Sequence, residues 1–135
     1  MEKRKARILI AEDEAHIRSL IRLIVTTLGA EVIAEAPDGE SALSLYRQHK
    51  PDMVILDINM PKLDGITVLK QIMAIDPQAL VVMLTSLNAL DVVKECIDSG
   101  AWNYILKNTS AEELHRAISA TWGDYMAVIR ERKSS

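Results

Sequence analysis

Along the chain, short apolar runs rich in β-branched residues alternate with longer stretches whose apolar residues recur every three or four positions. Period two or a solid apolar run marks a strand; period 3.6 marks a helix with one buried face. The strand candidates are Ile8-Leu9-Ile10-Ala11, Glu31 to Ala36, Met53-Val54-Ile55-Leu56, Leu80 to Leu84 and Tyr104-Ile105-Leu106. Most are almost continuously apolar, as strands covered on both faces are.

Helix ends can be read beside the periodicity. Ile17, Leu20, Ile21, Ile24 and Leu28 form one stripe, and Gly29 follows at a C-terminal cap position. Asp38-Gly39 opens a second helix, which Pro51 closes because proline disfavours helical geometry in the residue before it. A third begins near Gly65 and ends before Asp76-Pro77, and a fourth runs from about Ala89 to Ser99 and stops at Gly100. The last opens on Ser110-Ala111-Glu112-Glu113, a capping box in which Ser110 and Glu113 can satisfy each other's backbone amides.

Five strand-helix pairs of this length predict an α/β fold: a doubly wound, five-stranded parallel sheet in a three-layer sandwich, with right-handed crossovers. In the flavodoxin-like class the strand order is 2-1-3-4-5, and ligands sit beyond the carboxyl ends of the strands. The residues at those ends are all polar. Glu12 and Asp13 follow the first strand, Asp57 the third, Thr85 and Ser86 the fourth, and Lys107 the fifth.

Three carboxylates that close resist ionising together unless cations join them. Oxygen ligands of this kind favour Mg²⁺, which keeps several waters and binds through one or two carboxylates plus a phosphate. Asp13 and Asp57 would supply the carboxylates, Asn59 its backbone carbonyl, and Glu12 a bond to a metal-bound water. One Asp57 oxygen could then attack a phosphoryl donor while Lys107 and the Thr85 hydroxyl receive phosphoryl oxygens, with small Ser86 leaving room beside them. Each residue alone has a plainer reading: a strand-end Asp as a turn former, Thr85 as a strand terminus, Lys107 as a solvated charge. Their joint arrival at the ends of four strands favours chemistry.

Composition narrows the classes. With 135 residues, 49% of them hydrophobic, the chain can bury a core as one domain, 1–135. A net charge of -3 with scattered Lys and Arg offers no stripe for nucleic acid, and no apolar run is long enough for a membrane span or signal peptide. The single Cys96 cannot form an internal disulfide, which fits a cytoplasmic setting, and His16, His49 and His115 have no metal-ligand spacing.

In combination the segments Ile8 to Glu14, Asp52 to Pro61, Asp64-Gly65, Leu84-Thr85-Ser86 and Gly100 to Lys107 resemble bacterial response-regulator receiver domains over about residues 6–122. That resemblance implies a phosphorylation switch of a two-component system. Asp57 would take its phosphoryl group from the phosphohistidine of a histidine kinase or phosphotransfer protein. Thr85 would be drawn inward, Tyr104 would turn toward the vacated space, and the surface of helix 4, strand 5 and helix 5 would change for an output protein. The same resemblance places Asn59 and Leu87 beside the path of the hydrolytic water.

Lys107 is followed by Asn108 where many family members carry proline, often after a cis peptide bond, so either a cis bond or a rearranged loop is expected here. Lysine followed by Asp, Asn or Ser is familiar in receivers that precede DNA-binding domains, so descent from a longer regulator stays open. Two other classes share parts of the pattern. Aspartate-nucleophile phosphatases need an acid two residues after the nucleophile, where this chain has Asn59, and a flavin or nucleotide binder needs a phosphate loop where Glu12-Asp13-Glu14 would repel phosphate. Leu114, Ile118, Trp122, Tyr125 and Ile129 carry an apolar stripe beyond the reach of the sheet, so that 123–135 is either an extension of the last helix or a tail broken at Gly123. The stripe leaves a homodimer open.

Overall fold

Alternating side chains sort every central strand onto two faces, and two apolar cores result. The computed structural model describes residues 5–86 and 89–134. Its elements are β1 (Arg7–Ala11), α1 (Ala15–Thr27), β2 (Glu31–Ala36), α2 (Gly39–His49), β3 (Met53–Leu56), α3 (Gly65–Ile75), β4 (Val81–Thr85), α4 (Leu90–Asp98), β5 (Asn103–Leu106) and α5 (Ala111–Ser134). All strand pairs are parallel, and the sheet order is β2-β1-β3-β4-β5. The order reverses at β1, between β2 and β3, and that switch point locates the site.

One core joins Ile8, Ile10, Met53, Ile55, Val82 and Leu84 of the sheet to Ile21, Ile24 and Val25 of α1 and Leu114 and Ile118 of α5. The other joins Leu9, Ala11, Val54, Leu56, Val81 and Met83 to residues of α2, α3 and α4. Burial on both faces is why these strands read as solid apolar runs.

Asp38 and Asp64 cap α2 and α3, each carboxylate accepting the amide N–H three residues on, Ser41 at 2.8 Å and Thr67 at 3.0 Å. Of the box expected at α5, the structure records the Glu113 N–H donating to Ser110 Oγ at 3.2 Å. The helix continues through Gly123 to Ser134. As far as Tyr125 its stripe packs at least in part within the chain: Leu114 and Ile118 are buried, Trp122 and Tyr125 are half-buried, Tyr125 packs edge-on to Trp102 with ring centroids 5.4 Å apart, and its hydroxyl donates to the Gln78 carbonyl at 3.2 Å. The side chain of Ile129 lies outside the described residues.

Two glycines let the loop after β3 close over the sheet end. A Cβ at Gly65 would lie 2.0 Å from the Asp57 carbonyl oxygen, and one at Gly39 would lie 1.8 Å from the Leu63 carbonyl oxygen. Both obstacles are backbone. Gly65→Ala should therefore destabilise the protein by about 1–3 kcal/mol, the usual cost of overpacking, and chemical denaturation would measure it. An alanine variant as stable as wild type would mean that the loop yields freely.

Candidate phosphoacceptor and metal site

The ladder between β1 and β3 runs one bond past the end of β3, and that bond sets the site. The Asp57 N–H donates to the Ala11 carbonyl at 3.0 Å, so Asp57 is held in register although it stands outside β3. Across the sheet the Lys107 N–H donates to the Thr85 carbonyl at 2.9 Å, which holds Lys107 at the end of β5. Thr85 is the last residue of β4, fully buried and paired with Leu106. The Lys107–Asn108 bond is trans, so of the two expected arrangements the chain adopts the one without a cis peptide.

These anchors bring four predicted residues together. Lys107 Nζ lies 3.0 Å from Asp57 Oδ2, 2.6 Å from Glu12 Oε1 and 3.4 Å from Glu14 Oε1. Glu12, Asp13 and Asp57 each present an oxygen within 4.8 Å of the others. Glu12 and Asp57 are buried, at 1% and 3% exposure, while Asp13 is open to solvent. Asn59 is exposed two residues beyond Asp57, and Ser86 is exposed just after Thr85. Tyr104 is half-buried on β5, against the core shared by α2, α3 and α4. Leu87 lies outside the described residues.

Charge here is out of balance. Burial pushes the Glu12 carboxyl up to about 7; the Lys107 ammonium and the Glu14 N–H pull it down, and the Asp57 charge adds to the rise. Burial alone would depress Lys107, but its bonds to Glu12 and Asp57 outweigh that and hold the ammonium above its ordinary range. Burial likewise raises the Tyr104 phenol.

The donors also fit a divalent cation. Lys107 reaches Glu12 Oε1 as a charge contact, yet this fully buried oxygen receives no well-directed hydrogen bond. A buried acceptor whose only donor is poorly directed is under-satisfied, and water held on a hard cation would complete it. The carboxylate set, all oxygen and including one exposed group, suits Mg²⁺ better than a soft metal.

One further residue, Arg18, reaches this end of the fold without any mark in the sequence. Arg18 of α1 donates from Nη1 to the Glu12 carbonyl at 2.7 Å. In the sequence it looks like any helix-surface charge, because its acceptor is a main-chain atom that only the folded turn presents.

Comparison with known proteins agrees with the fold. A family model for the response regulator receiver domain matches residues 8–119. The chain is 42% identical to the chemotaxis protein CheY of Bacillus subtilis over 115 residues, 85% of this chain and 96% of that one. It is also 42% identical to the transcriptional regulatory protein PdtaR of Mycobacterium tuberculosis over 112 residues, 83% of this chain but 54% of that one. Among solved structures, a CheX–CheY–BeF3–Mg complex from Borrelia burgdorferi superposes with a TM-score of 0.83 at 34% identity, covering 87% of this chain and 89% of that one.

Proposed function

The chain belongs to the response regulator receiver family of two-component signalling, and from that premise we propose that it is a phosphorylation switch whose phosphoacceptor is Asp57. The observation that carries the proposal is the convergence, at the ends of β1, β3 and β5, of three carboxylates with one ammonium 3.0 Å from Asp57 Oδ2.

In the proposed step an Asp57 carboxylate oxygen attacks the phosphorus of a phosphohistidine on a histidine kinase or phosphotransfer protein. The O–P bond forms as the P–N bond breaks, and the imidazole leaves with the electron pair. Lys107 moves from its carboxylate partners to a phosphoryl oxygen, and the Thr85 hydroxyl donates to another. Asp13, Asp57 and the Asn59 carbonyl would hold Mg²⁺, with Glu12 bonded to one of its waters. When bound, Mg²⁺ supplies positive charge that offsets the carboxylates and the incoming phosphoryl group. Catalysis is then positioning and charge compensation, and the chain acts on itself rather than turning over an independent substrate.

The readout would be the surface of α4, β5 and α5. Supporting this, α4 is short and lacks a side-chain cap, Cys96 is its one fully buried residue, and Leu90 and Ile97 stand 84% and 46% exposed. Such an element is cheap to move. Thr85 and Tyr104 would relay the change to an output protein in the cytoplasm. Among the described residues no helix is long and apolar enough to cross a membrane. The whole chain would form one receiver unit, with the last part of α5 as its extension.

Incubation with acetyl phosphate and Mg²⁺ should add one phosphoryl mass to the intact protein, and excess chelator should prevent it. A phosphoryl group mapped to a residue other than Asp57, or labelling indifferent to chelator, would sink the assignment.

A further inference from the structure

Two of the three carboxylates of the proposed metal site, Glu12 and Asp13, hang from the turn between β1 and α1, and that turn lacks an ordinary helix cap. Glu14 stands at the N-cap of α1 with no side-chain bond to the first-turn amides. Glu12 holds the turn in its place. Its N–H donates to the Ala36 carbonyl of β2 at 2.9 Å, and its Oε2 accepts the Glu14 N–H at 3.0 Å. Its carbonyl accepts Arg18 Nη1 at 2.7 Å. Arg18 is braced in turn: its Nε lies 3.6 Å from Glu35 Oε1 on β2, and Arg22 Nε holds the other Glu35 oxygen at 3.1 Å. The Arg18 side chain is only 21% exposed.

We propose that Arg18 is a positioning residue for the divalent-cation site, its guanidinium spanning the Glu12 carbonyl and Glu35 so that the Glu12 and Asp13 carboxylates are aimed before the metal arrives. The inference rests on the Mg²⁺-binding reading above. A planar guanidinium can engage two acceptors in fixed directions, which a lysine ammonium on a flexible stem does poorly. Mg²⁺ tolerates little departure from octahedral geometry, so loosening the turn that carries two of its partners lowers affinity. Net charge works the other way. Deleting a cation next to an acidic cluster should, by Coulomb's law alone, tighten Mg²⁺ binding. Positioning and bulk electrostatics therefore predict opposite signs for one substitution.

Calorimetric titration with Mg²⁺ at fixed ionic strength would compare wild type, Arg18→Ala and Arg18→Lys, with thermal melts in chelator alongside. Arg18→Ala should bind Mg²⁺ about tenfold more weakly, the low end of what loss of a ligand-orienting partner costs. Arg18→Lys, which keeps the charge, should also bind more weakly. Acetyl phosphate labelling of both should return to the wild-type level at saturating Mg²⁺, because Asp57 is held separately by the Ala11 carbonyl. If Arg18→Ala does not melt cooperatively, the lysine variant decides: weaker binding supports the inference, and unchanged affinity overturns it. Equal or tighter binding by a folded Arg18→Ala protein overturns it alone. A wild type that binds no Mg²⁺ overturns the reading beneath it as well.

Discussion

Asp57→Asn should abolish phosphoryl labelling by acetyl phosphate and at the same time raise the stability of the metal-free protein. The loss follows from chemistry: an amide oxygen is too weak a nucleophile to displace the donor's leaving group, and Asn59 cannot stand in for the missing carboxylate. The gain follows from the charge balance. Two buried carboxylates, Glu12 and Asp57, share the one Lys107 ammonium, and the charge of Asp57 helps to push Glu12 up. Neutralising Asp57 leaves Lys107 to Glu12 in a one-to-one pair and keeps a side chain of nearly the same volume. The expected gain is about 1 kcal/mol, the scale of an ordinary single substitution, and it opposes the usual destabilising sign. Intact mass spectrometry reads the first effect and urea denaturation in chelator the second. A variant that labels, or one clearly less stable than wild type, would show that Asp57 is not the strained acceptor proposed.

Much of this site could be read in the sequence because two patterns with separate causes meet in it. Burial on both faces makes β1, β3 and β4 solid apolar runs, so their ends are visible as the first polar residues, and in a parallel sheet those ends lie side by side. That reasoning places Glu12 and Asp57; Lys107 follows the partly buried edge strand β5 as the first polar residue after Tyr104-Ile105-Leu106. Boundaries that depend on tertiary bonds were less legible. Arg7 belongs to β1 because it pairs with Glu31 of β2, while its own N–H is taken up by the Asp52 carboxylate at 2.7 Å; apolarity does not mark it. Thr85 lies inside β4 rather than beyond it, since the ladder to β5 reaches Leu106. The path of α5 past Gly123 escaped for a similar reason. Glycine weakens a helix by about 1 kcal/mol relative to alanine, and what offsets that here is the aromatic contact of Tyr125 with Trp102, which stands in the bend just before β5.

The strongest structural consequence attaches to Lys107. Lys107→Ala, without metal, should cost about 3–5 kcal/mol at pH 8, the range found when one partner of a buried ion pair is removed. With the side chain of Lys107 only 12% exposed and those of Glu12 and Asp57 at 1% and 3%, little solvent can replace the ammonium. The cost should depend on pH, and the sign follows from Glu12. Its carboxyl is raised from 4.5 to about 7 in the folded protein, so the folded state holds a proton that the unfolded state has released. Stability linked to that proton is fully present below about pH 4.5 and is lost as pH rises through 7. Removing Lys107 raises the carboxyl further, because burial stays and the lowering contacts go. At pH 5 Glu12 is then neutral with or without its partner, and the gap between wild type and variant narrows; above pH 7 it widens. Added Mg²⁺ should recover part of the loss by supplying the missing positive charge, while phosphoryl labelling stays impaired for want of a donor to the transferred group. Urea denaturation at both pH values, with chelator and with Mg²⁺, provides the four measurements. An equal penalty at pH 5 and pH 8 would mean that Lys107 holds the fold through packing of its stem rather than by compensating Glu12.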